Sequence, residues 1–170
     1  MPATRQDLFA RLAELGIVTH TVEHEPVFTV AESSKLERES PGAHTKNLFL
    51  KDERGELFLV VAKSSTRVDL KGLARTLAAG RLSFGSPELM MEVLGVRPGS
   101  VTAFAVMNDA ANRVRVVVDA DLMTHDSINC HPLENTATTN IARDDLLRFI
   151  RACGHEPRIA ALGGGAKAAE

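Results

Sequence analysis

The sequence predicts an α+β domain built on a mixed sheet. Two apolar runs, Leu48–Lys51 and Leu57–Ala62, flank Asp52-Glu53-Arg54-Gly55, the pattern of two strands closed by a tight turn. Leu8, Phe9, Leu12 and Leu15 recur instead at helical spacing. Strands joined by hairpins as well as by helices argue against a regular doubly wound sheet. With 170 residues, 44% of them hydrophobic, the chain can enclose one sizeable core, and neither a repeat nor a domain boundary divides it.

The elements follow in order. Thr4 followed by Asp7 has the form of a helix start, and Gly16 of its stop. Thr19–His24 alternates as a short strand, and Val30–Glu39 reads as a second, more polar helix before the Pro41-Gly42 break. After the hairpin, Asp69 can cap a helix running to Ala79 with Gly80 as its stop, and Ser86-Pro87 can open another that ends at Gly95. Val101–Met107 and Val114–Asp119 are expected as strands joined by the turn-rich Asn108–Asn112. Ala142–Cys153 is an amphipathic last helix burying Leu146, Leu147 and Ile150, and Ile159–Leu162 can return one more strand. Residues 163–170, Gly-Gly-Gly-Ala-Lys-Ala-Ala-Glu, read as a flexible tail, leaving 1–162 as the domain.

Composition narrows the function classes. A formal charge of −2 gives no broad polybasic surface, although a protein gripping only the end of a nucleic acid needs few phosphate contacts. Cys130 and Cys153 are too few for a disulfide framework and lack zinc-type spacing, so a reducing cytoplasm is expected. His20, His24 and His44 are too scattered to form a compact coordination shell with Cys130, so neither metal nor cofactor is expected. The first residues lack the apolar stretch of a signal peptide, and no segment reaches the ~18–20 apolar residues of a membrane span.

Chemistry concentrates in Asn129-Cys130-His131-Pro132-Leu133-Glu134-Asn135-Thr136-Ala137-Thr138-Thr139. Pro132 forces the preceding pair out of helical geometry, and the Thr/Asn alternation beyond it suits a strand with one polar face. Two readings fit: the floor of a small polar binding site, or a proline turn capping an edge strand. A second segment, Pro41–Asp52, uses a Pro-Gly turn to deliver Lys46 and Asn47 to the mouth of the apolar strand Leu48–Leu50. Lys46 can there meet a phosphate or polarised oxygen, or be an ordinary solvated lysine at a strand end. Asn47 points the other way along an ideal strand. A third segment, Leu94–Phe104, holds a helix end, a turn and a strand in close succession.

Together these segments resemble the YbaK/ProX family of aminoacyl-tRNA deacylases, over about residues 7–162. The His131–Thr139 string looks most like the free-standing alanyl-tRNA(Pro) deacylase branch and departs from the YbaK branch, which clears cysteine from the same tRNA. The resemblance implies a curled, mixed, largely antiparallel sheet flanked by helices, with the pocket at its open end. It implies Lys46 and His131 as catalytic, His131 through its ring or its backbone N–H, and Asn47, Asn129, Cys130, Asn135, Thr136 and Thr138 around the substrate.

The implied reaction is hydrolysis of the ester joining an amino acid to the tRNA 3′-terminal ribose, the vicinal hydroxyl helping to activate water and Lys46 positioning the nucleotide. No Ser-His-Asp or Cys-His order is legible, which suits a mechanism without a covalent intermediate. The implied substrate is alanine on tRNA(Pro), since a proline-activating site cannot fully reject the smaller residue. Prolyl-tRNA synthetase would be a transient partner, with no role for DNA or membranes, and Lys51 and Arg81 are candidate tRNA contacts. Alternatives are deacylation of serine or cysteine from tRNA, and a non-catalytic module that binds tRNA or a synthetase.

Overall fold

The computed structural model describes residues 2–26, 35 and 41–162. Helix α1 (Arg5–Glu14) opens on a reciprocal cap: Thr4 Oγ1 accepts from the Asp7 N–H at 3.1 Å, and the Asp7 carboxylate accepts from the Thr4 N–H at 2.8 Å. Strands β1 (Thr19–Glu23), β2 (Ala43–Asp52) and β3 (Leu57–Lys63) follow, then α2 (Leu70–Leu77), β4 (Leu82–Phe84) and α3 (Pro87–Leu94). A 3₁₀ helix at Ala103–Asn108 precedes β5 (Val114–Asp119), and another at Ala120–Thr124 precedes β6 (Ser127–Cys130). The chain ends through β7 (Ala137–Ala142), α4 (Arg143–Ala152) and β8 (Arg158–Ala160). The expected helix at Val30–Glu39 lies outside the described residues, Lys35 excepted, as does the tail at 163–170.

The strands form one mixed sheet in the order β1-β7-β6-β2-β3-β5-β8, with β4 also on β2. Four pairings are antiparallel (β1–β7, β7–β6, β2–β3, β2–β4) and three parallel (β6–β2, β3–β5, β5–β8). The β2–β3 hairpin is the one the sequence announces. Asp52 fastens its turn: one carboxylate oxygen accepts the N–H groups of Arg54 and Glu56, the other that of Gly80 at 3.0 Å. Burial alone would raise the Asp52 pKa, but those donors and the Arg54 guanidinium outweigh it and hold the carboxyl below its ordinary range.

Strand alternation sorts the sheet into two faces. Phe49, Leu59, Val61, Val116, Ile128 and Ile141 lie on one, inside the main core formed with α1, α3 and α4. There Phe104 meets Phe149 edge to face, ring centroids 5.4 Å apart. The opposite face is divided. Its β2–β3–β5 half, with Leu50, Phe58, Val60, Ala62 and Val117, is covered by Leu73 and Leu77 of α2 and by Ala160 and Leu162. Its β1–β7–β6 half carries hydrogen-bonding side chains.

Four expectations are corrected. Val101–Met107 is no strand: the Thr102 hydroxyl accepts from the Phe104 N–H and starts the 3₁₀ helix. Residues 103–106 are buried on every side, so the apolar run carries no period to separate turn from strand. Helix α2 stops at Leu77 because Ala78 adopts the left-handed conformation at φ 54°, two residues before Gly80. Asp69 stands at its N-cap position without a capping hydrogen bond from its side chain. In α4, Phe149 is buried with Leu146 and Ile150, while Leu147 is only partly covered.

Candidate active site

The site begins where the sheet forks. β6 pairs with β2 in parallel only at Ala43↔Ile128 and His44↔Asn129, while β4 occupies the same side of β2 only from Leu50. Between them the Phe49 carbonyl accepts from the Gly85 N–H, and Thr45 Oγ1 donates to the Asn129 carbonyl at 2.8 Å. Among the described residues, Lys46, Asn47 and Leu48 thus have a ladder partner on the β3 side alone. Lys46 is therefore not at a strand mouth as the sequence suggests. It lies within a ten-residue strand, opposite Ala62 of β3 and beside the fork. The strand starts earlier than expected because Gly42, at φ 90°, lets the chain enter against β6; a Cβ there would stand 2.5 Å from Ser127 Oγ.

Asn129 fixes this junction. Its amide donates to the carbonyls of Pro41 at 2.8 Å and Ala43 at 3.2 Å, and its own oxygen accepts from the Asn140 amide at 3.2 Å. An amide side chain is needed because donors and an acceptor must be met together in a buried place. The register puts His20, Asn140, Asn129 and His44 in one row across four strands, with Val22 and Thr138 in the next. Two positions beyond that His44↔Asn129 pair stand Lys46 and His131. Thus the two residues proposed as catalytic come to neighbouring ends of the fork, from segments eighty-five positions apart in the chain.

His131 is partly buried, and its Nδ1 lies 3.1 Å from the Ala137 carbonyl. A carbonyl only accepts, so Nδ1 carries the hydrogen and the neutral ring keeps its lone pair on Nε2. Burial lowers the His131 pKa, the Ala137 hydrogen bond partly restores it, and the nearby His24 lowers it further. His24, which the sequence offers only as a metal ligand, comes to stand beside His131. Its Nε2 is 2.8 Å from Thr138 Oγ1, its Nδ1 2.8 Å from the Glu25 carbonyl, and its ring centroid 6.5 Å from that of His131. The signal is the β1–β7 pairing, which sets His24 two residues past the Val22↔Thr138 partners.

The loop between β6 and β7 is held from below by Arg5. Its guanidinium pairs with Glu23 and with Glu134 at 3.5 Å and reaches Thr136 Oγ1 at 3.5 Å. Leu133 takes φ 71° while its side chain joins the core, so burial offsets a backbone cost of ~1–2 kcal/mol. Asn135 and Thr136 line a concavity with Arg97, Ser100 and Glu134 on the α3 side of this loop. They are not joined to His131 by any hydrogen bond. Cys130 is buried, and its thiol is pushed up to about 12 by burial, only partly countered by Thr45, so it is no nucleophile at neutral pH.

The remaining candidates separate. Asn47 faces the main core beside Val61, its Oδ1 buried without a hydrogen-bond partner among the described residues. Lys51, five positions past Lys46, faces the side opposite to it. Arg81 is exposed after α2, its N–H donating to Glu53 Oε1 at 3.2 Å. Among the described residues, no group of three or more His, Cys, Asp or Glu is arranged to hold a metal ion, and no helix is long and apolar enough to cross a membrane.

Comparison with known proteins places this geometry. The family model described as the aminoacyl-tRNA editing domain matches residues 24–149. The prolyl-tRNA editing protein ProX of Acetoanaerobium sticklandii is 36% identical over 152 residues, covering 89% of this chain and 93% of its own. A prolyl-tRNA synthetase associated domain-containing protein of Danio rerio is 40% identical over 157 residues, covering 91% and 85%. The fold is shared by a crystal structure described as that of a candidate trans-editing enzyme for prolyl tRNA synthetase, at TM-score 0.73 and 19% identity, covering 97% of this chain and 99% of that one. A match across the fork, the His131 loop and most of the sheet, with two relatives similar along most of their length, means that the chain belongs to the aminoacyl-tRNA editing family.

Proposed function

We propose that this protein is a trans-editing deacylase that hydrolyses Ala-tRNA(Pro) while sparing Pro-tRNA(Pro). The observation that carries this reading is the placement of Lys46 and His131, each two positions past the His44↔Asn129 pair, on the two sides of the fork. Lys46 supplies a positive charge without a carboxylate partner among the described residues, suited to the terminal phosphate or to the ester oxygen as it gains charge. His131 supplies a lone pair at Nε2, suited to accept a hydrogen from the attacking water, the ribose hydroxyl or the substrate ammonium. Its backbone N–H offers a second contact to the ester carbonyl. Such an ester is already activated, so holding water and carbonyl in line provides much of the rate.

In this reading Asn129 and Thr138 shape the floor, Cys130 adds a neutral small side chain behind it, and Asn135 and Thr136 order the loop. Asn47 supports the strand that carries Lys46, and Lys51 and Arg81 contact the acceptor stem. Alanine is favoured over proline by size, because proline adds a ring that a small rigid pocket rejects by overlap. Prolyl-tRNA synthetase would be a transient partner in the cytoplasm. The test is to incubate the protein with labelled Ala-, Ser-, Cys- and Pro-tRNA(Pro) and follow each ester. Preferential loss of the alanyl ester is expected, equal turnover of Ala- and Pro-tRNA(Pro) would overturn the editing assignment, and a preference for Ser or Cys would reassign the substrate.

A further inference from the structure

Among the described residues, eight arginines hold a carboxylate, Arg5, Arg11, Arg54, Arg113, Arg115, Arg143, Arg148 and Arg151, and the other lysines and arginines do not. Lys71 and Arg75, four residues apart on the exposed side of α2, and Arg81 just beyond it have no ion-pair partner among the described residues. These three border one concavity of about 390 Å³ floored by Ala74, Ala78, Ala79 and Gly80. Glu53 packs over Gly80, while the small side chains of Ala74, Ala78 and Ala79 leave room for close approach by a backbone. The one carboxylate on the rim, Glu53, is already accepting from the Arg81 N–H. Three cations against one carboxylate leave a local excess of positive charge on a protein whose net charge is −2.

The concavity lies at the C-terminal end of α2, where helix carbonyls repel an anion. Here that effect is met: Arg54 donates to the Ala78 carbonyl at 3.0 Å and Arg158 to the Thr76 carbonyl at 2.8 Å. Both carbonyls thus accept from guanidinium groups, and Lys71, Arg75 and Arg81 have no ion-pair partner among the described residues. Helix α2 covers the same sheet face on which Lys46 stands, so a ligand entering the fork can extend over the helix.

Resting on the reading of this chain as an enzyme acting on tRNA, we propose that the α2 concavity seats the sugar–phosphate backbone of the RNA duplex whose 3′ end enters the fork. Phosphate contacts of this kind position the ligand without reading sequence. The probe is a fluorescent hairpin with a base-paired acceptor stem and a 3′ CCA end, titrated without an amino acid over a series of KCl concentrations. The Lys71→Glu/Arg75→Glu pair should weaken binding about tenfold or more and reduce the salt slope by about 2. Hydrolysis of alanyl-adenosine should stay unchanged, because that ester has no stem. Should the charge reversal not fold, Lys71→Gln/Arg75→Gln carries the test with smaller losses in the same direction.

Unchanged hairpin affinity and slope would overturn the proposal, as would equal loss on alanyl-adenosine, which would assign the helix to the pocket instead. Loss of prolyl-tRNA synthetase binding with RNA affinity intact would give the concavity to a protein partner. A wild-type protein that binds the hairpin in this salt-dependent way but cleaves no aminoacyl ester would defeat the deacylase reading and leave the RNA surface standing.

Discussion

The two halves of one sheet face do different work. Over β2, β3 and β5 the face is apolar and sealed by α2, with Leu50, Val60 and Leu73 almost fully buried. Over β1, β7 and β6 the same face presents Thr138, tied to the His24 ring, and Asn140, Asn129 and His131, tied to each other or to backbone carbonyls. The first half gains stability from area removed from water, the second from satisfied hydrogen bonds that also fix geometry. β2 belongs to both: its far end is in the sealed half and Lys46 stands beside the polar one. A rigid strand, rather than a loop, therefore carries the proposed catalytic cation.

The strongest challenge to this contrast is Leu73→Ala, which should cost about 2–5 kcal/mol of stability in urea unfolding, with the rate per folded molecule nearly retained. Equal loss of rate and stability would mean that the halves are not separable. Lys46→Ala should do the reverse, lowering the deacylation rate on the order of 10²-fold while the unfolding midpoint moves little. An unaltered rate would remove Lys46 from the site.

Asn129→Ala should affect both, since it strands the Pro41 and Ala43 carbonyls: a loss of about 1–3 kcal/mol, together with a lower rate, is expected. Retained rate with lowered stability would sever the junction from catalysis. The smallest effect concerns pH. The lowered His131 pKa means that its lone pair is lost only below the ordinary histidine value of 6.5, so kcat/KM should bend downward on the acid side of that pH. Stability should fall too as pH drops from 6.5 towards the folded value, because the unfolded chain takes up the proton first. His24→Asn removes one cause of the lowering, and the bend should move up; an unmoved bend would separate His24 from His131.

Local patterns made much of the fold legible. The Thr4/Asp7 cap, the hairpin around Asp52–Gly55 and the Ser86-Pro87 helix start each rest on contacts a few residues apart. Lys46 and the His131 loop stand as candidates through their likeness to a family. What stayed hidden depends on distant partners. Nothing in Ala103–Val106 distinguishes a buried turn from a buried strand, and Ala78 takes a left-handed conformation that its type does not announce. His24 acquires meaning only when β1 pairs with β7, and the place of Lys46 only when β6 and β4 leave β2 between them.

That fork has a further consequence for solution behaviour. A strand with one side unpaired among the described residues, as β2 is at Lys46–Leu48, is a template on which another chain can add a strand, the route by which sheets grow into aggregates. A charged side chain set among apolar neighbours on such an edge blocks that growth, because an incoming strand would have to desolvate the ammonium. Lys46 is therefore expected to oppose such pairing. Replacing it by Val, which favours β structure, should raise the fraction of dimers and larger species in sedimentation, while Lys46→Arg should not.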